Sequence, residues 1–265
     1  MINKKLLNNN RFLFIIKAAI NIPKVKINRN EFLRKELSPH FSKNTVELAV
    51  VKNPAYAGIT IEELDYISEC CIKSETNKVS LISAASSIPG GLSLFGTISA
   101  DIIQYFAYVI RIIQKLMYLY GWPELFSSDD ETDDEILSKI TLFIGVMSRV
   151  TIADKAILNL SKKTTLELEK KIVNVALTKE IIFPVAKKCS NILGMKLSKE
   201  VFAKSVSKLI PIIGGITAGG LTYLTFKTSA EDLKKQLEKL PTADVAFHRE
   251  LEYAKDIMNV DFVEI

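Results

Sequence analysis

The sequence predicts an all-α protein, a single multi-helix bundle with two central uncharged, glycine-rich helical segments. Three observations lead there. Hydroxyl residues stand three positions before acids at several places, apolar residues recur at helical spacing, and sustained strand-type alternation is absent. The chain has 265 residues with 48% hydrophobic and 25% charged content, enough to bury one sizeable core and too apolar for a disordered chain.

The helix starts come first. Thr60 with Glu63, Thr132 with Glu135, Thr164 with Glu167 and Ser229 with Asp232 each let a hydroxyl accept from the first turn while a carboxylate complements the helix dipole. Apolar spacing then predicts helices over 60–72, 99–119, 133–149, 164–178, 198–209 and 229–239, with a last one near 243–258. The chain divides into a basic, loosely helical lead-in over 1–59, a helical core over 60–230 and a C-terminal helix and tail over 231–265. Lys17 interrupts the apolar run from Phe12 to Ile20 and no small-residue cleavage site follows, so no secretory leader is expected.

Net charge is +5, from 35 basic and 30 acidic residues, and Arg occupies only positions 11, 29, 34, 111, 149 and 249. Lys is a point charge without the planar fork that reads guanine or grips phosphate from two sides. The balance therefore points to an anionic surface and away from nucleic acid. Cys70, Cys71 and Cys189 show no metal spacing, which suits a reducing, cytoplasmic setting with no metal and no cofactor. Cys70 and Cys71, on an amphipathic helix, read as core or semi-core residues. No phosphate loop, nucleophile elbow, zinc motif or dinucleotide fingerprint is present, and no catalytic residue is expected. His40 and His248 lie in polar terminal regions and read as surface histidines. The run Asp129-Asp130-Glu131 reads as a solvated, dipole-complementing lead into the next helix.

Residues 79–100 carry no charge until Asp101, and Pro89-Gly90-Gly91 breaks the middle of a stretch otherwise long enough to span a bilayer. A second uncharged run, 209–226, contains Pro211, Gly214, Gly215, Gly219 and Gly220 between Lys208 and Lys227. Gly96 with Ala100, and Gly215 with Gly219, set small residues four apart, which lets helices approach closely. Both runs read either as central core helices or as elements that dip into lipid. The helix before the second run sets Lys199, Lys204 and Lys208 opposite an apolar side, an arrangement suited to lying on anionic lipid.

On the 99–119 helix, Asp101, Gln104, Tyr108, Arg111 and Lys115 fall within about 80° at helical spacing. Facing solvent, this strip is the wet side of a core helix. Facing inward, it requires partners for its charges and forms the floor of a pocket lined by Asp101, Tyr105, Tyr108 and Arg111.

Ser87-Ile88-Pro89-Gly90-Gly91, Ile98-Ser99-Ala100-Asp101 leading through Arg111 to Leu119-Tyr120-Gly121, and Lys208 to Gly215 with Gly219-Gly220 together resemble the bacterial EcsC family. The resemblance covers roughly 60–230. It implies a helical bacterial domain and membrane proximity, and it carries over no catalytic residue.

The leading expectation is a non-enzymatic, membrane-associated protein of the cytoplasmic face. Its partner is lipid or a membrane protein complex, bound through the glycine-rich segments. One alternative is a soluble small-molecule-binding protein or enzyme with its pocket around Asp101 and Arg111. Another is a membrane-perturbing module of toxin type. No feature specifies an oligomeric state.

Overall fold

The computed structural model describes residues 4–85, 100–126, 133–166, 181–189 and 218–261. They form an all-α bundle. The helices are α1 (Lys4–Ile20), α2 (Arg29–Leu37), α3 (Lys43–Val51), α4 (Ile61–Ala85), α5 (Ala100–Leu119), α6 (Asp133–Met147), α7 (Thr151–Leu166), α8 (Ala218–Leu237) and α9 (Val245–Asp261), with a further helical stretch over 181–189. A 3-10 turn, Pro241–Ala243, joins α8 to α9. The expected helix over 198–209 and the acid run 129–131 lie outside the described residues, as do Thr132, Pro89, Gly90, Gly91, Gly96, Pro211, Gly214, Gly215, Lys199, Lys204 and Lys208.

Local chemistry sets the helix starts where the caps are satisfied. At α4 the Thr60 amide donates to Glu63 Oε2 at 2.9 Å and the Glu63 amide donates to Thr60 Oγ1 at 3.3 Å, a reciprocal capping box. Asn28 Oδ1 accepts from the Glu31 amide at α2, Ser42 Oγ from the Thr45 amide at α3, and Asp244 Oδ1 from the amides of Ala246 and Phe247 at α9.

Two expected starts are corrected. Thr164 lies buried in the last turn of α7, and Ser229 lies inside α8. A Thr or Ser three residues before an acid also recurs within helices by chance. At α7 the chain is reset upstream instead: α6 closes with Arg149 N donating to Val146 O at 2.9 Å and Val150 N to Gly145 O at 2.9 Å, around Arg149 at φ +56°. A non-glycine residue there is strained by about 1 kcal/mol. The exposed Arg149 guanidinium meets both oxygens of Asp232 on α8, at 2.6 and 2.7 Å, and so links this turn to α8.

α5 is the central element. From Phe106 to Leu119 nearly every side chain is buried, and Ile110, Ile112, Ile113, Leu116 and Met117 are fully so. Burying each is worth about 1.5–3 kcal/mol. α1, α4 and α8 pack around it. Residues 4–59 hold α1, α2 and α3, and Phe12, Ile16, Leu33, Leu37, Val46 and Val50 join the same core.

The contacts fix the helix directions. Glu75 on α4 meets Arg111 on α5, and Ser68 meets Tyr120 just past α5, so α4 and α5 run antiparallel. Tyr105 meets Phe226 of α8 and Tyr120 meets Glu238 just past it, so α8 runs parallel to α5 and antiparallel to α4, to which Lys234 bonds through Asp65. Phe12 stacks edge-on against Phe106 at 6.1 Å, while Val25 O and Ile27 N bond Gln114, so α1 runs alongside α5 in the same direction. The last turn of α4 and the first turns of α5, α8 and α1 therefore share one end of the bundle.

Candidate functional site

Two features could carry function: a buried ion cluster in the middle of the bundle and the end where Ala85, Ala100 and Ala218 come together.

The cluster centres on Glu75. This acid occupies a place in the apolar face of α4 between Ile72 and Val79, and its side chain is fully buried. Arg111 grips it with two nitrogens, Nε to Oε2 at 3.0 Å and Nη2 to Oε1 at 3.3 Å. Lys115 Nζ lies 2.8 Å and Lys78 Nζ 3.1 Å from the same Oε1. Arg111 Nη1 donates to the Lys24 carbonyl. Burial alone would raise the Glu75 carboxyl, but the hydrogen bonds and charges of Arg111 and Lys115 outweigh it and hold it down to about 2.

The polar strip of α5 thus divides. Arg111 and Lys115 turn inward onto Glu75, whereas Asp101 is exposed in the first turn. Asp101 stands ten residues, about 15 Å, along the axis from Arg111. Gln104, Tyr105 and Tyr108 are half-buried between them, and Tyr105 packs edge-on against Phe226 of α8 at 6.0 Å. The structure therefore brings Arg111 and Lys115 together and leaves Asp101 apart from them.

Sequence periodicity missed Glu75, although an acid in an otherwise apolar register was the signal for it. It also missed Gln114, which is fully buried: Nε2 donates to Val25 O and Ile110 O, and Oε1 accepts from Ile27 N. Arg29 is a third buried polar residue, its guanidinium donating to the carbonyls of Trp122, Val50, Ala49 and Lys52. Burial lowers it to about 10.

The shared end of the bundle is the less charged one. In the halves of α4, α5 and α8 nearest it, the charged residues are Lys78 and Lys227 with Asp101 and the buried Glu75. The acids Glu62, Glu63, Asp65, Glu69, Glu231 and Asp232 all lie in the far halves. Leu81, near the end of α4, is 70% exposed. α4 ends here at Ala85, within the uncharged run 79–100, α5 begins here at Ala100, and α8 begins here at Ala218, within the run 209–226. Gly219 and Gly220 stand in the first turn of α8.

The remaining candidates are structural. Cys71 is buried as expected, which pushes its thiol up to about 12, whereas Cys70 is exposed and not the core or semi-core residue its helix suggested. His40 is exposed as expected, but His248 is not a surface residue. It is buried, with Nε2 3.3 Å from both the Thr242 carbonyl and Asn53 Nδ2, because the 3-10 turn folds α9 back against the loop after α3. Among the described residues no group of His, Cys, Asp and Glu could hold a metal, and no helix is long and apolar enough to cross a membrane.

No protein-family model, curated protein or solved structure matches the chain.

Proposed function

We propose that this protein attaches peripherally to anionic membrane at the inner face of a bacterial cell, binding lipid or a membrane complex through the end where α4, α5 and α8 meet, and that it does so without catalysis. The supporting observation is that the described ends of both uncharged runs, Ala85 and Ala100 of the first and Ala218 of the second, lie at one end of the bundle. Charged residues are sparse on the nearest turns of α4, α5 and α8, where Leu81 is exposed, and Lys78 and Lys227 stand behind them. A Lys or Arg beside an anionic surface contributes about 1 kcal/mol, and apolar residues lowered into the headgroup layer add to it. The resemblance to the EcsC family points the same way.

Co-sedimentation with vesicles tests the reading. The protein is expected to pellet with phosphatidylcholine vesicles containing phosphatidic acid and to stay in solution with phosphatidylcholine alone, with binding falling as salt is raised. Equal recovery with both vesicle types at every salt concentration would overturn the electrostatic part, and no recovery with either would overturn the whole.

A further inference from the structure

The ion cluster around Glu75 is short of acceptors. A carboxylate oxygen offers two lone pairs, yet Glu75 Oε1 faces three donors, Lys115 at 2.8 Å, Lys78 at 3.1 Å and Arg111 Nη2 at 3.3 Å. One negative charge meets three positive ones. Among the described residues no other carboxylate lies within ion-pair distance of these cations. Glu36, the other acid whose field reaches this stretch of α4 at Cys71, is paired with Lys35 at 2.9 Å. Each ammonium has three donors, so Lys78 and Lys115 both keep N–H groups beyond those spent on Glu75.

This surplus reaches solvent. The Lys78 side chain is 47% exposed and that of Arg111 21%, while Lys115 lies behind them at 11%. Tyr108 stands one turn nearer the less charged end on the face of α5 that carries Arg111. A buried carboxylate that holds three cations in fixed positions is a preorganised mount for an anion. The missing complement is one group with a negative charge and several acceptor oxygens.

The geometry points to a phosphate-binding site at the rim formed by Lys78 and Arg111 and backed by Lys115, filled by the headgroup of an anionic phospholipid or by free phosphate. Lys78 lies seven residues, about 10 Å, from the end of α4. With that end in the apolar boundary of a bilayer, the rim comes to headgroup depth. The headgroup source rests on the membrane reading above, whereas the site itself does not.

The test uses the full chain, titrated with inorganic phosphate at constant ionic strength while NMR follows the Arg111 Nε–H resonance. The resonance is expected to shift and saturate. Lys78→Gln, at a half-exposed position that leaves the core intact, is expected to weaken phosphate about fivefold, the equivalent of about 1 kcal/mol. Lys78→Arg is expected to restore it, and Lys227→Gln, which removes the same charge elsewhere, to leave it unchanged. A titration that never saturates, or equal effects of Lys78→Gln and Lys227→Gln, overturns the site and leaves only diffuse attraction.

Vesicles containing phosphatidic acid then identify the source. Release of bound protein by phosphate, with Lys78→Gln losing more vesicle binding than Lys227→Gln, assigns the site to the headgroup. A site that keeps its dependence on Lys78 in phosphate while the wild-type protein ignores the vesicles assigns it to free phosphate, and sinks the membrane reading alone.

Discussion

Arg111 holds the buried Glu75 carboxylate by both of its oxygens, through Nε at 3.0 Å and Nη2 at 3.3 Å, and so ties α5 to α4 at mid-height in the bundle. Removing one partner of a buried pair strands the other charge, at a cost of about 3–5 kcal/mol. Glu75→Ala is therefore expected to lower the urea midpoint by that equivalent. A loss under about 1 kcal/mol would mean the cations relax into solvent without it.

The same carboxyl sets an acid limit. Its folded value of about 2 lies below the ordinary 4.5, so the unfolded chain takes up the proton first as pH falls. The stabilisation, about 3 kcal/mol from the size of the shift, is complete above about pH 4.5 and is lost between there and about pH 2. Unfolding followed across that window should show the slope in the wild type and a flatter one in Glu75→Gln.

His248 acts at higher pH. Burial lowers its basicity, and Nδ1 is buried with no hydrogen-bond partner among the described residues, so a second ring proton has no acceptor there. A depressed histidine contributes stability that is fully present above the unfolded value of about 6.5 and is lost as pH falls from there through its lower folded value. Amides of the first turns of α9 are expected to exchange faster at about pH 5.5 than the intrinsic rate accounts for. In His248→Phe this acid-dependent opening should vanish.

Arg29 closes the C-terminal end of α3 and the turn at Trp122 with one guanidinium on four carbonyls. Lysine lacks the planar fork and cannot reach them together. Arg29→Lys is expected to cost about 2–4 kcal/mol, since hydrogen bonds to a charged group are worth about 1.5–3 kcal/mol each. The denaturation midpoint should fall with its slope unchanged.

Two glycines separate conformational strain from collision. Gly58 and Gly121 both have positive φ, +82° and +83°. A Cβ at Gly58 meets nothing within 4 Å, whereas one at Gly121 would lie 2.1 Å from the Thr242 carbonyl oxygen. Gly58→Ala should therefore cost about 1 kcal/mol. Gly121→Ala should cost about 3 kcal/mol or more, because the 3-10 turn must move. Similar melting temperatures for the two variants would argue against that close packing.

The sequence by itself determined the helical class, the capping box at Thr60 and Glu63, the extent of α5 to within a residue, and the presence of a polar strip on it. Each of these rests on interactions within a few residues, where spacing along the chain is also proximity in space. Tertiary structure decided what the strip meets. Periodicity groups Arg111 and Lys115 on one face, but their acceptor, Glu75, lies 36 residues from Arg111 on another helix. The buried state of His248 likewise depends on Asn53, 195 residues away. Thr164 and Ser229 had the spacing of helix starts, yet both lie inside helices that are already running, from Thr151 and from Ala218. The meeting of Ala85, Ala100 and Ala218 at one end follows from the antiparallel packing of α4 against α5 and α8, a relation that chain-local spacing does not encode.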